Sequence, residues 1–133
     1  MENISDYDFH DGAIIDLIHV ADGIQILMES AEIASEDLKD DLSLSETYTL
    51  RGKLHLEKIS EIKINGLNYT EIKKTYDEAG IYAFDIKNNV VKFGISWINH
   101  LPKRYENTDY ITIEIEAENI YWENIPALHN PYR

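Results

Sequence analysis

The residues that most suggest chemistry are an adjacent histidine and aspartate, His10 and Asp11. Such a pair ligates metal in helical phosphohydrolases, which need further histidine and aspartate ligands on neighbouring helices. A metal site in this chain would take His10, Asp11 and His19. The other interpretation is structural: Asp11-Gly12 forms a turn before the first strand, with His10 hydrogen-bonded beside it. We favour this turn, because zinc needs three or four ligands and no defensible set supplies more than two.

The sequence lacks the residue patterns that acid–base and nucleophilic catalysis require. Glu114, Glu116 and Glu118 recur at a period of two, which places them on one wet face of a strand. We expect a cation opposite them, from Lys53, Arg51 or a partner. No serine has the Gly-x-Ser-x-Gly context of a nucleophile elbow, no glycine-rich loop could cradle a phosphate, and there is no cysteine. We therefore expect no catalytic residue, no cofactor and no enzymatic activity.

Acidic residues are concentrated in the first third of the chain. The 133 residues include 25 acids and 12 bases, a formal net charge of −13. Residues 1–46 contain 13 of the acids and one base, whereas residues 47–133 contain 12 acids and 11 bases. Such an acidic field attracts a cationic partner. Nucleic acid and anionic membranes are disfavoured as partners, because a polyanion requires a basic footprint.

The length and the absence of targeting signals set the remaining expectations. A chain of 133 residues can bury one core without disulfides, and no linker divides it, so we predict a single domain over residues 1–133. The sequence after Met1 has neither a basic region nor an apolar signal segment. No run approaches the roughly 18 apolar residues of a membrane span. We therefore expect a cytoplasmic protein.

Apolar residues alternate with polar ones along most of the chain, which predicts antiparallel strands. We predict strands over 13–20, 24–29, 47–57, 59–64, 81–87, 90–98 and 110–117, with 120–123 extending the last strand or pairing elsewhere. Turns are expected at 21–23, where Gly23 can take a positive φ, and at 65–66, 77–80 and 88–89. An acidic loop is expected over 34–46. Residues 69–76 fit a short helix and a strand equally well. The fold class is all-β: an antiparallel sandwich or partly open barrel with at most one short helix.

Two further expectations concern the strand interiors. In the second strand Ile24, Ile26 and Met28 should share one face. In the third strand Tyr48, Leu50, Leu54 and Leu56 should share the inner face, together with Gly52. Gly52 and Gly94 lie inside predicted strands, where glycine marks a bulge or a close backbone approach. Either glycine could bend the sheet into a barrel.

The layout resembles a set of small bacterial proteins of unknown function. The resemblance rests on four segments that span nearly the whole chain: Phe9-His10-Asp11-Gly12, Asp77–Ile81, Ile95–Pro102 and Ile115–Glu123. Related small acidic families are immunity proteins, which neutralise a bacterial toxin by binding it. The resemblance implies a partner-binding protein and assigns no catalytic residue.

These observations predict a non-catalytic protein-binding domain of the immunity type, which neutralises a basic toxin partner. The predicted contact residues are acids that attract the partner and aromatics typical of binding hot spots: Glu36, Asp37, Asp40, Asp41, Trp97, Tyr105 and Trp122. The alternative hypothesis is a β-barrel that binds a small ligand or a metal through His10, Asp11 and His19.

Overall fold

A computed structural model describes residues 9–34, 43–73, 78–98 and 110–129. In these ranges the chain forms seven strands and no helix. The strands are β1 (Ala13–Val20), β2 (Gly23–Glu32), β3 (Thr49–Ile64), β4 (Leu67–Tyr69), β5 (Glu78–Lys87), β6 (Val90–Ile98) and β7 (Tyr110–Asn124). No helix in this part of the chain is long and apolar enough to cross a membrane.

The strands form one antiparallel sheet that closes on itself. Its order is β2-β1-β5-β6-β7-β3-β4, and β2 also pairs with β3. Six strands therefore form a ring of two meanders, β1-β2-β3 and β5-β6-β7, while β4 pairs with the last residues of β3. The predicted all-β class is confirmed, and the hydrogen-bonded ring is that of a partly open barrel.

The two seams that join the meanders differ greatly in length. The β3–β7 seam runs from Gly52 opposite Asn124 to Ile64 opposite Ile113. The β1–β5 seam has only two opposed residue pairs, which involve residues 13 and 14 of β1 and residues 79 and 80 of β5. At the β1–β5 seam, where few residues are paired, closure of the ring therefore depends on side-chain packing.

Phe9 supplies part of that packing next to the short seam. Its ring is fully buried and lies 5.1 Å from the ring of Phe84 and 5.8 Å from that of Trp122, measured between centroids. Phe84 belongs to β5 and Trp122 to β7, so Phe9 joins strands that are not neighbours in the sheet.

The barrel interior is filled by the alternating apolar residues of both meanders. Its largest fully buried side chains are Phe9, Phe93, Ile14, Ile24, Ile26, Met28, Leu50, Leu54, Leu56, Ile95, Ile113 and Ile115. This confirms the predicted inner face of β2 and most of that of β3. It also confirms the hairpin of β5 and β6, in which Asn88 takes a φ of +57° at the turn.

The expected close approaches at two glycines are also confirmed. A Cβ on Gly52 would overlap the carbonyl oxygen of Glu123 and lie 2.7 Å from Cζ2 of Trp122. A Cβ on Gly94 would overlap the ring of Tyr82 instead. Gly52 therefore leaves room for the Trp122 indole inside the barrel, and β7 can lie close to β3.

Three local predictions are wrong. Residues 78–80 are not a turn, because they form the start of β5, and Gly80 lies opposite Ala13. Tyr48 is not on the inner face: it precedes β3, has a φ of +63° and is 62% exposed. Gly23 does not provide a positive φ for its turn, but is the first residue of β2, where a Cβ would overlap the carbonyl oxygen of Leu56.

Two alternatives left open by the sequence are decided in the described residues. Tyr69 ends β4, and residues 70–73 are irregular, so this part of 69–76 contains no helix. Residues 120–123 extend the last strand, because β7 is continuous from Tyr110 to Asn124. Residues 74–77, most of the acidic loop over 34–46 and the predicted loop over 99–107 lie outside the described residues.

Candidate functional site

A cleft with both polar and apolar walls lies against the outer face of β2 and β3, where β2 ends and β3 begins. Its volume is about 710 Å³. We call it the β2–β3 cleft, and its lining residues are Glu32, Leu44, Ser45, Glu46, Thr47, Thr49, Arg51, Pro126, Ala127, Leu128 and His129. Three segments therefore meet at the cleft: the end of β2, the turn that leads into β3, and the chain after β7.

An ion pair between Glu29 and Arg51 lies beneath this cleft. The two residues are opposite each other on β2 and β3, and Nε of Arg51 donates to Oε2 of Glu29. The Glu29 side chain is 0% exposed and that of Arg51 is 15% exposed. Arg51 also donates from Nη1 to the carbonyl oxygen of Leu128 at 3.2 Å and from Nη2 to Oγ1 of Thr47 at 3.3 Å. Arg51 thus joins all three segments of the cleft, and its charge is balanced by Glu29.

The burial of Glu29 results from what covers the strand. Met28 and Leu50 point into the barrel, so alternation places Glu29 and Arg51 on its outer face. The turn before β3 and the segment after β7 then fold over that face. A one-residue bulge follows, since Glu29 pairs with Arg51 but Glu32 pairs with Thr49.

The hydroxyl of Thr49 also donates to the buried carboxylate. Oγ1 of Thr49 donates to Oε2 of Glu29 at 2.7 Å and lies 2.6 Å from Oγ of Ser45. Ser45 Oγ in turn accepts the backbone N–H of Thr49 at 3.1 Å. Ser45 and Thr49 are 7% and 4% exposed. This network fixes the turn that forms one wall of the cleft, because buried polar groups are costly unless they are paired.

Glu32 and Glu46 make the wall of the cleft acidic. Both are exposed, and neither has a base within 4.0 Å among the described residues. By contrast, four glutamates on β3 and β7 have a basic residue within 4.0 Å: Glu61 has Lys63, Glu114 has Lys92, Glu118 has Lys58 and Glu123 has His55. The cleft therefore carries carboxylate charge that the described residues do not neutralise.

The predicted glutamate row at 114, 116 and 118 is on a wet face, as expected. Its neighbours are not the bases that the sequence suggested. Lys92 lies 3.6 Å from Glu114, and Lys58 lies 3.9 Å from Glu118. Glu116 accepts a hydrogen bond from Ser60 at 2.7 Å. The expectation of Lys53 or Arg51 was wrong, because Lys53 lies opposite Glu123 and it is the later residues of β3 that lie opposite this row.

A second polar group lies on the outer face of β3 and β7. The rings of His55 and Tyr121 are stacked, with centroids 4.6 Å apart and 3° between their planes. Nε2 of His55 lies 2.8 Å from Oε1 of Glu123, and the Tyr121 hydroxyl donates to Oε2 of Glu57 at 3.0 Å. That hydrogen bond, with lesser contributions from partial desolvation and from the charges of Glu57 and Glu123, raises the pKa of Tyr121. This second polar group lies on the outer surface of the strands.

The His10-Asp11 pair forms a turn. Nδ1 of His10 lies 3.2 Å from Oδ2 of Asp11, and both side chains are more than half exposed. Asp11 has a φ of +68° and donates its N–H to the carbonyl oxygen of Ile81 at 2.8 Å, while Gly12 donates to that of Phe9. The pair therefore precedes β1 in a turn that also contributes to the short seam.

The structure does not bring His19 to the His10-Asp11 pair. His19 is near the far end of β1, six residues after Ala13, and an extended strand places residues six apart at about 20 Å. Its Nε2 lies 3.0 Å from the carbonyl oxygen of Ile72. The described residues contain no group of three or more histidines, aspartates and glutamates that could hold a metal ion.

The predicted aromatic contacts have different outcomes. Trp122 is 7% exposed and donates from Nε1 to Oδ1 of Asn124 at 3.2 Å, so it is a core residue and its assignment to a partner surface is wrong. The backbone of Trp97 pairs with Ala79 in β6, but its side chain is not among those described. Tyr105 lies outside the described residues.

The predicted acidic contacts Glu36, Asp37, Asp40 and Asp41 also lie outside the described residues. The residues that flank them do belong to the cleft region. Glu32 precedes this segment, and Leu44 to Glu46 follow it, all lining the cleft. The carbonyl oxygen of Ser43 accepts a hydrogen bond from Nδ2 of Asn124 at 2.9 Å. The acidic segment thus leaves the described structure and returns to it beside the cleft.

Comparison with known proteins adds no relative to this description. No protein-family model matches the chain, and no curated protein or solved structure matches it significantly.

Proposed function

We propose that this protein is a non-catalytic binding domain for a basic protein, of the kind that neutralises a toxin by occupying its surface. The observation that carries the proposal is the unneutralised acid at the β2–β3 cleft. Glu32 and Glu46 lack a base nearby, and the segment between them adds Glu36, Asp37, Asp40 and Asp41 against one lysine, Lys39.

The distribution of charge supports binding rather than general solubility. On β3 and β7, Glu61, Glu114 and Glu118 each lie within 4.0 Å of a lysine, so their fields are partly cancelled. The acids at the cleft are not cancelled in this way. A local field of one sign accelerates encounter with a partner of the opposite sign, and salt weakens that acceleration.

The buried polar groups at the base of the cleft have structural partners that account for them. Glu29 binds Arg51 and Thr49, and Ser45 binds Thr49. A general acid would need a carboxyl in an apolar pocket and a nucleophile would need an adjacent base. Binding therefore explains this arrangement with fewer additional assumptions than catalysis.

The experiment that tests the proposal begins with capture of a partner by the full chain from the source cells, with partner stoichiometry measured by mass spectrometry. The captured partner is then titrated with a variant that reverses three acids of the segment between Glu32 and Glu46: Asp37→Lys, Asp40→Lys and Asp41→Lys. We expect the association rate to fall about tenfold or more at low salt, with a smaller fall at high salt.

A matched control changes net charge by the same amount elsewhere. Asp22, Glu71 and Asp85 are exposed and have no ion pair among the described residues, so their replacement by lysine disturbs no contact described above. The control should slow association much less than the cleft variant. Equal effects of the two variants would show that only net charge matters, and unchanged association in both would refute the proposal.

A further inference from the structure

We propose that the β2–β3 cleft receives one long cationic side chain, an arginine or a lysine, from the partner protein. This inference rests on the proposed function and adds the chemistry of the contact. It places the cationic head of that side chain beside Glu32 and Glu46, and its aliphatic stem along the apolar part of the cleft.

The lining of the cleft carries carboxylate charge that no nearby base among the described residues compensates. Arg51 is balanced by the buried carboxylate of Glu29, with which it forms an ion pair. The remaining acids of the lining, Glu32 and Glu46, have no base within 4.0 Å in the part of the chain that the structure describes. A cation entering the cleft thus gains two carboxylates without competing for Glu29.

The walls of the cleft combine apolar and acidic side chains. Leu44, Pro126, Ala127 and Leu128 provide apolar surface next to the carboxylates. Arginine and lysine combine a methylene stem with a charged head, and they commonly bury the stem while the head remains near water or acids. A small inorganic cation would not use the apolar wall.

The charges of the lining disfavour an anionic ligand of the same size. The lining contains two basic residues, Arg51 and His129. Arg51 is the permanently charged one, and Glu29, Leu128 and Thr47 already accept hydrogen bonds from its guanidinium. An anion would also approach Glu32 and Glu46. The same charges that attract a cation would therefore repel a phosphate or a carboxylate.

Hydrogen bonds between side chains hold the base of the cleft in place before any ligand enters. The Ser45, Thr49 and Glu29 side chains are at least nine-tenths buried and hydrogen-bonded to one another. Because these groups are held in place, a side chain that enters the cleft need not order them, and binding loses less entropy.

The inference can be tested with small probes before any partner is known. The full chain, labelled for amide NMR, is titrated with Nα-acetyl-arginine amide, Nα-acetyl-lysine amide and, as an uncharged stem, Nα-acetyl-norleucine amide. We expect weak, saturable shifts for one or both cationic probes, confined to amides at Thr47, Thr49, Arg51, Ala127 and Leu128. The norleucine probe should produce no comparable shifts.

Two variants localise the contact. In Glu32→Gln with Glu46→Gln, we expect the cationic probes to bind about three- to tenfold more weakly, as for two exposed ion pairs. The control Glu71→Gln removes an exposed acid in the segment that follows β4. This variant should bind the cationic probes as tightly as the unmodified chain does. Shifts spread over all exposed acids, or equal weakening by Glu71→Gln, would overturn the inference, as would saturable binding of norleucine amide alone.

The outcome separates this inference from the proposed function. If the probes fail to bind the cleft while the Asp37, Asp40 and Asp41 reversal still slows association with a captured partner, the side-chain contact is wrong and the function stands. If the probes bind but no basic partner is captured, the cleft chemistry is right and the proposed function is wrong.

Discussion

Glu29 and Arg51 lie directly opposite each other on β2 and β3, and their ion pair is covered by the turn before β3 and the segment after β7. The pair therefore connects a sheet surface to the two segments that build the cleft. Its two members differ in exposure, because the carboxylate is sealed and the guanidinium reaches the cleft. Several properties of the cleft depend on this pair.

Arg51→Met should destabilise the protein strongly. The substitution leaves the Glu29 carboxylate buried without its counter-charge, which typically costs 3 kcal/mol or more, so we expect the free energy of unfolding to fall by about 3 kcal/mol. Urea denaturation followed by circular dichroism measures the change. The double variant with Glu29→Gln should recover part of the loss, because it removes the uncompensated charge. A loss below about 1 kcal/mol for Arg51→Met alone would contradict this description of the pair.

Gly52→Ala and Gly94→Ala should have unequal effects although both add one methyl group. At Gly52 the methyl would meet the backbone of β7 and the buried Trp122 indole, neither of which can move freely. We expect a loss of about 2–3 kcal/mol there. At Gly94 the obstacle is the ring of Tyr82, which is 42% exposed and can rotate outward. Thermal unfolding of both variants checks the order, and a larger loss for Gly94→Ala would reverse the interpretation.

Phe9→Ala and His10→Ala compare two neighbours with opposite burial. Phe9 is fully buried between Phe84 and Trp122, so we expect its truncation to cost about 3–4 kcal/mol. The His10 side chain is 52% exposed, and its truncation should change stability by less than about 0.5 kcal/mol. Denaturant titrations of the two variants provide the test. A large loss for His10→Ala would show that the turn before β1 has a role beyond the contacts described.

Tyr121 should titrate above the ordinary tyrosine value of 10.0. The hydrogen bond to Glu57 is the main cause, since it favours the protonated hydroxyl. Because the folded state holds this proton more tightly than the unfolded chain does, its contribution to stability is complete below about pH 10 and is lost as pH rises through the folded pKa. Carbon NMR of the labelled tyrosines measures the titration. Glu57→Gln should lower the pKa of Tyr121, and an unchanged value in that variant would assign the shift to another cause.

Alternation predicted the strands well because it reflects a local constraint. Ile24, Ile26 and Met28 recur at every second position and are buried, because only one face of such a strand can face the core. The hairpin at Asn88 was predictable for the same kind of reason, since asparagine tolerates a positive φ. The start of β5 was not, because Gly80 suggests a turn until its pairing with Ala13 is known.

The candidate site was predicted less well because it depends on non-local contacts. Alternation assigns Glu29 and Arg51 to an outer face, but it does not reveal that residues after β7 fold over them. Opposed charges at these positions would have been a signal only if the register of β2 and β3 had been known. Trp122 was misassigned for a related reason: its burial requires the space opposite Gly52, on another strand.

The most direct test of the central claim is a titration of the captured basic partner with a cleft variant and a matched control. The cleft variant carries Glu32→Lys and Glu46→Lys, and the control carries Glu71→Lys and Asp85→Lys, so both change the net charge equally. We predict that the dissociation constant rises at least about tenfold for the cleft variant and changes little for the control. Equal dissociation constants for the two variants would contradict the claim that the partner binds at the β2–β3 cleft.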